Sequence, residues 1–323
     1  MAKKRKSNKR NKVKKIILGF LVFLAFSAVV AMPTSAVIVY EAIFSQRFEP
    51  AEDMLFEVED FPGLVREECF FESSEGKTLA GFKYDRADNE QKAVVVIAHG
   101  LGGGGQSLYM DVADFFTRND LYVFSYDATG NGKSEGEDVR GLPQGVIDLD
   151  NALDFVKSQP EYAGLPIVIF GHSWGAYSAG CVLEYHPDIS AVVMVAGFNQ
   201  SKNMLEQESV KAVGPIAKLT LPYVSLYEYI KFGEYSKASA VDGFETSEAG
   251  VMILQSKDDT DVLPEIGYDI FFKKYNDSPR FEFVLFEDRG HSYLYYNDGR
   301  LELGLDEDLM NDIVQFYSSY CEK

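Results

Sequence analysis

From about residue 64 onward, short apolar runs alternate with longer amphipathic segments. That rhythm predicts helices packed on a mostly parallel sheet. The runs AVVVIA (93–98), LYVFSYD (121–127), PIVIFG (166–171), AVVMVA (191–196), GVMILQS (250–256) and FEFVLFE (281–287) read as strands. Their near-continuous Val and Ile content suits strands covered on both faces. Between them, Leu108, Val112, Phe115 and Phe116, and again Val146, Leu149, Leu153 and Val156, recur at helical spacing and read as crossover helices. Upstream, VREECFFES and KTLAGFKYD flank the turn signal SEGK and predict an antiparallel hairpin at the sheet edge.

The alternation breaks once. Between the runs at 191–196 and 250–256 lies a connection of roughly 50 residues, several times a usual loop length. It contains the Leu- and Tyr-rich stretch AKLTLPYVSLYEYIKFGEY. We read about 198–245 as a small helical lid over the carboxyl ends of the strands, within a domain covering 65–323.

The N-terminus follows a different pattern. Residues 1–15 hold nine of the 31 Lys and Arg residues and no acid, which leaves 22 basic against 50 acidic side chains, or −28, in the remainder. So acidic a body would meet a phosphate backbone with like charge, which argues against nucleic acid as a partner. After Lys15 no charge occurs until Glu41, an apolar length beyond the roughly 20 residues that cross a bilayer as a helix. The basic flank predicts a cytoplasmic tail (1–15), a signal-anchor helix (16–40), a linker (41–64) and an extracellular body. The alternative is secretion after signal-peptide cleavage near Ala36. The three cysteines, Cys69, Cys181 and Cys321, have neither a disulfide framework nor a metal-ligand spacing.

The chemistry concentrates at strand ends. PIVIFG runs into GHSWG and then into a helical pattern, the strand–turn–helix context of a nucleophile elbow, with Ser173 as nucleophile. Such a serine needs a base. Of the four histidines, His172 adjoins Ser173 and should point away along the elbow, His186 precedes Pro187 at a helix end, and His99 opens a glycine loop. His291, on the loop after the last strand, remains. Its imidazole needs an acid partner, and SKDDTDVLP after the run at 250–256 offers Asp258, Asp259 and Asp261. The glycine loop HGLGGGG should let backbone approach a substrate, giving the N–H groups of Leu101 and Trp174 as oxyanion donors. DATGNGKSEG lacks the first glycine of a phosphate-binding loop and reads as a structural turn in which Gly130 and Gly132 take positive φ and Asp127 ties the backbone.

In this order along the chain, GHSWG, HGLGGGG, DATGNGKSEG, the acid cluster and GHSY resemble the α/β-hydrolase family. The similarity is to a membrane-anchored bacterial branch of serine aminopeptidase-like and lysophospholipase-like hydrolases. The resemblance spans about 65–321 and implies an eight-stranded sheet with helices on both faces and a Ser–Asp–His triad. It selects Asp259 as the acid, with Asp258 as fallback because one extra residue, Leu263, precedes Pro264. Asp261 then reads as a helix-start charge. Thr129 stands where that family often has arginine, a departure that bears on local packing.

The implied function is a serine hydrolase cleaving carboxylic esters or related acyl bonds of a small-molecule substrate, lipid-like ones included, without metal or organic cofactor. A peptidase or acyltransferase on the same elbow is the alternative, followed by a non-catalytic anchored binding protein.

Overall fold

The computed structural model describes residues 2–49, 56–87, 90–102, 108–294 and 304–321. Eight strands form one sheet in the order β1-β2-β4-β3-β5-β6-β7-β8. They are β1 (Val65–Glu72), β2 (Thr78–Asp85), β3 (Ala93–Ala98), β4 (Leu121–Tyr126), β5 (Ile167–His172), β6 (Ala191–Val195), β7 (Gly250–Ser256) and β8 (Phe281–Phe286). The hairpin β1–β2 is antiparallel and joins the sheet through an antiparallel β2–β4 pair, while every pair from β4 to β8 is parallel. This is the α/β-hydrolase fold.

The Val- and Ile-rich β3, β6 and β7 are buried at every position, as two covered faces require. One face carries α3 (Met110–Arg118) and the last helix, whose Phe116, Ile313 and Tyr317 pack with Val95, Phe170 and Val193. The other carries α4 (Pro143–Ser158) and α5 (Trp174–Val182), whose Val146, Leu153, Tyr177 and Val182 pack with Val94, Ile169 and Val192. Strand β8 departs from the expectation of two covered faces. It is the edge of the sheet, and Glu282 and Leu285 are exposed.

Parallel register decides where the chemistry can sit. Ala98 pairs with Gly171, His172 with Val195, and Val195 with Leu254. The chain therefore leaves β3, β5, β6 and β7 along one common edge, and His99–Leu101, Ser173 and the three aspartates fall just beyond it.

The connection from β6 to β7 folds into α6 (Ser201–Val213), α7 (Leu221–Phe232) and α8 (Ala240–Thr246), joined by 3₁₀ turns at Pro215–Leu219 and Gly233–Lys237. Ser239 caps α8 by accepting from the Asp242 N–H at 3.0 Å. Two further helices occur among the described residues, α9 (Tyr268–Tyr275) and α10 (Glu307–Cys321).

At the N-terminus, α1 (Ala2–Phe26) continues through a π-helical turn, Ser27–Ala31, into α2 (Met32–Phe44). Residues 11–44 are long and apolar enough to cross a membrane, with a mean hydropathy of 2.5 in the most apolar window and none of that window buried. The far end of this helix is no free tether. Tyr40 and Phe44 are buried in the same core as α4 and α5. The Tyr40 hydroxyl donates to Glu228 on α7 at 3.0 Å, and Glu41 accepts from Tyr227 at 2.6 Å and Lys231 at 2.8 Å.

Residues 46–48, read from sequence as part of a linker, are instead bonded to the domain. The Phe48 N–H donates to the Gly130 carbonyl at 2.9 Å. Arg47 donates to the carbonyls of Ser134 at 2.8 Å, Gly136 at 2.9 Å and Gly132. The tight glycine turn turns several carbonyls outward, and a planar guanidinium can bind them together. Nothing in the local sequence around Arg47 signals that partner.

Candidate active site

Ser173 sits at φ 54°, ψ −115°, between the end of β5 and the first turn of α5. A non-glycine residue at positive φ is strained, and here the strain comes with a sharp turn of the chain. The flanking glycines make the turn sterically possible. A Cβ on Gly171 would lie 2.6 Å from the Gly175 carbonyl oxygen, and one on Gly175 would lie 2.0 Å from that of Ala98. The serine N–H still donates to Val195 O at 2.8 Å, and its carbonyl accepts the first helical bond, from Tyr177, at 3.0 Å. Ser173 is thus held on both sides at the N-terminus of α5, where backbone N–H groups and the helix dipole favour negative charge.

The three aspartates after β7 take three different positions. Asp259 is buried, with 1% exposure, and all of its acceptor capacity is directed inward. Its Oδ1 accepts from the N–H groups of Asp261 at 2.8 Å and Val262 at 3.0 Å. Its Oδ2 accepts from His291 Nδ1 at 2.9 Å and from the Tyr293 hydroxyl. Burial alone would raise this carboxyl, but the bonds from His291, Tyr293 and Val262 hold it below its ordinary value. Asp258 is exposed and braces the histidine loop from outside, accepting from Ser256 Oγ at 2.6 Å and the Gly290 N–H at 3.0 Å.

Asp261 does not start a helix, contrary to the expectation from sequence. The next helical turn, Pro264–Ile266, is preceded by Leu263, and α9 by Gly267. The reason is local: the Asp259 carboxylate captures the Asp261 N–H in a tight turn, which leaves the Asp261 side chain in solvent.

With Nδ1–H of His291 committed to Asp259, Nε2 is the nitrogen left to take a proton. The other histidines have different work. His99 is buried, bonded to Gly100 O at 2.7 Å and accepting from the Ala128 N–H at 2.9 Å, and burial pushes it down to about 4, so it is neutral. His186 lies beyond the far end of α5, paired with Asp150 at 2.8 Å.

His172 is more than a bystander. Its Nε2–H donates to the His291 carbonyl at 3.0 Å, and its Nδ1 accepts from Tyr109, whose oxygen takes the Gly100 N–H at 3.2 Å. This chain ties the elbow, the histidine loop and the glycine loop together. Its members are scattered over the sequence, so only the alternation that turns His172 away from Ser173 hinted at it. Tyr293 was also missed. Two residues past His291, it both donates to Asp259 Oδ2, the oxygen that also meets the imidazole, and accepts from Gln255 Nε2 at 2.9 Å, fixing that oxygen beside His291.

Leu101 lies in an exposed turn just beyond the end of β3. A Cβ on the preceding Gly100 would lie 3.5 Å from Ser173 Cβ, which measures how near the loop passes to the elbow. Gly103, Gly104 and Gly105 of the glycine run lie outside the described residues. Trp174 is buried, its indole N–H donating to Leu142 O at 2.8 Å, which anchors the first residue of α5.

A match to the serine aminopeptidase S33 family model covers residues 89–261, just over half of the chain, and includes Ser173 and Asp259. The chain belongs to the serine aminopeptidase S33 family of α/β-hydrolases. Human monoglyceride lipase is 32% identical over 117 residues, which are 36% of this chain and 36% of that enzyme. The rat monoglyceride lipase is 30% identical over 141 residues, 43% of each chain. The matched stretches therefore span well under half of these relatives' lengths. Among solved structures, an esterase from Pyrococcus furiosus superposes with a TM-score of 0.63 at 15% identity, covering 85% of this chain and 99% of that one. An acetyl xylan esterase from Paenibacillus gives 0.59 at 16%, with 82% and 87% covered. At such identities these two speak to the fold.

The Thr129 departure from the family's turn has a visible consequence. The Thr129 N–H at 2.7 Å, the Thr129 hydroxyl at 2.9 Å and Gln144 at 2.9 Å all donate to the buried Asp148 carboxylate. Burial pushes that carboxyl up to about 6 despite those donors. A raised carboxyl makes the folded state bind more protons than the unfolded chain between about pH 4 and 6, so its contribution to stability falls as pH rises through that window. The stability advantage of the natural chain over Asp148→Asn should shrink by about 2 kcal/mol between pH 4 and pH 7. Denaturant unfolding of both proteins at several pH values checks it; an advantage that grows with pH would contradict the assignment.

Proposed function

We propose that this protein is a membrane-anchored serine hydrolase of carboxylic esters that works through an acyl-enzyme. The observation that carries this reading is the buried Asp259–His291 pair on the same sheet edge as a strained serine. In this mechanism His291 Nε2 takes the Ser173 proton as Oγ attacks the ester carbonyl. Asp259 keeps the imidazole in the Nδ1–H tautomer and stabilises its positive form. The developing oxyanion is received by the Leu101 and Trp174 N–H groups. His291 then returns the proton to the leaving alcohol, and a water activated by the same nitrogen releases the acid.

The helical insertion between β6 and β7 serves as the lid in this reading, supported by its bonds to the acid loop. Gln207 on α6 accepts from the Leu263 N–H at 3.0 Å and donates to Asp261 O at 2.8 Å. Lipid-like esters are the favoured substrates, because the similar curated enzymes are monoglyceride lipases and because the N-terminal helix would hold the site at a bilayer. The family's aminopeptidase description makes aminoacyl amides the second class to assay.

The test is covalent. A fluorophosphonate probe should add one phosphonyl group to the full chain, and peptide mass spectrometry should place it on Ser173. An adduct on another serine, or none while p-nitrophenyl esters turn over, would refute the assignment.

A further inference from the structure

Beside the contacts that fix α2 to the insertion lies a cavity of about 310 Å³, within the size range of roughly 300–1,000 Å³ typical of small-ligand pockets. One wall is α2, through Ala36, Val39 and Ile43. The other is the end of α6 and the 3₁₀ turn after it, through Val213, Ile216 and Leu219. Among the described residues, no charged one lines it. Its hydroxyls make little polar demand: Ser35 donates to Met32 O at 2.9 Å and Thr220 to Ala217 O at 2.7 Å, while Tyr40 is turned to Glu228. Apart from the Ser209 hydroxyl, what faces the cavity is mainly hydrocarbon.

Ile216 is 69% exposed, Val213 66% and Leu219 56%. Three adjacent apolar side chains so open to water would be unusual on a soluble surface. They share the cavity with Val39 on α2, itself 57% exposed. The apolar strip thus runs without interruption from the membrane-crossing helix onto the insertion.

Helix length sets the depth of this strip. Lys15 is the last charge before the apolar stretch, and a hydrocarbon core of about 30 Å takes about 20 helical residues at about 1.5 Å each. Counting from Ile16, the core ends near Ser35, and the next turn or two lie in the interfacial layer. Met32 and Ser35, which also line the cavity, fall at the hydrocarbon boundary, and Ile43 above it. The cavity accordingly opens where acyl chains of the outer leaflet begin.

Resting on the membrane-anchor reading above, we infer that this groove binds one acyl chain of an outer-leaflet phospholipid, which completes the contact between α2 and the insertion. The lipid is a resident rather than a substrate. None of Ser173, His291, Leu101 or Trp174 lines the groove, and α6 separates it from a second concavity that borders the acid loop through Thr260 and Leu263. A second copy of the chain would have to reach the same depth in the bilayer, whereas lipid is already there.

The full chain, reconstituted in phosphatidylcholine vesicles containing a phosphatidylcholine with a terminal diazirine on one acyl chain, provides the test. Trypsin after Lys211, Lys218 and Lys231 gives two groove peptides, 212–218 and 219–231. The crossing helix, without Lys or Arg from Ile16 to Gln46, stays in one peptide of its own. Photolabel should appear on the helix peptide and on both groove peptides. Ala212→Trp, at an exposed position lining the groove, should lower labelling of the groove peptides about ten-fold by filling the space, with the helix label and the melting temperature unchanged. Label confined to the helix peptide overturns the proposal. So does groove label that persists in the Trp variant, since that would be general immersion. Protein left in the supernatant without label would instead defeat the anchor reading on which the groove rests.

Discussion

Replacing Ser173 with alanine is expected to lower kcat for p-nitrophenyl butyrate by roughly 10⁶-fold, the scale seen when a serine hydrolase loses its nucleophile. The size follows from what the elbow supplies. A serine hydroxyl free in solution is a poor nucleophile, and in the proposed mechanism its power depends on a fixed position at the head of α5 and on proton transfer to His291. Val195 and Tyr177 hold that position through backbone bonds that alanine retains. Alanine also tolerates φ 54° no worse than serine, so the variant should fold with an unchanged melting temperature. Residual turnover within ten-fold of the natural chain would show that another group performs the attack. Because backbone oxyanion donors survive the change, a small rate above the uncatalysed reaction is compatible with the mechanism.

How much of this was readable beforehand depends on whether a feature is local in sequence. The strands were legible because a parallel sheet covered on both faces imposes unbroken apolar runs, and AVVVIA and AVVMVA record that directly. The elbow was legible because its constraint, two glycines around a residue at positive φ, falls within five positions. His291 and the acid cluster were found from their places after successive strands, and the structure brings His291 onto Asp259. Choosing among the aspartates took a family resemblance, since composition alone makes Asp258, Asp259 and Asp261 equivalent. Their difference lies in burial and in which carboxylate meets the His291 imidazole rather than the backbone of its loop.

Long-range side-chain partnerships left no trace that one sequence could show. Arg47 meets the turn at 132–136, His172 meets the carbonyl of His291, and Tyr40 meets Glu228, pairs separated by up to 188 positions. For the same reason the stretch after the apolar helix read as a linker. Only the outward carbonyls of a glycine turn far along the chain give Arg47 and Phe48 something to hold. The consequence is functional as well as structural. Under the proposed membrane anchoring, a domain bonded to the last turn of that helix would present one fixed face to the bilayer, whereas a tethered one would tumble.

Asp259→Asn should lower kcat about 10⁴-fold while leaving KM within a few-fold, whereas Asp261→Asn should leave both nearly unchanged. The asymmetry rests on geometry. Asn at 259 would present either its oxygen or its amide to His291 Nδ1. The Asp261 and Val262 N–H groups already occupy Oδ1, which favours keeping oxygen there and turning the amide toward the imidazole. An amide donor opposite Nδ1 forces the proton onto Nε2, the nitrogen that must be free to accept from Ser173. It also meets the Tyr293 hydroxyl, which would have to turn from donor to acceptor. Asp261, by contrast, contributes only its backbone N–H to the site, and asparagine keeps that. Asp258→Asn falls between them. Its carboxylate braces Gly290 one residue before His291, so losing the charge should loosen the loop and cost on the order of ten-fold. The ranking of the three variants in one ester assay is therefore diagnostic: Asp258→Asn more damaging than Asp259→Asn would mean that the fallback aspartate, and not the buried one, orients His291 during turnover.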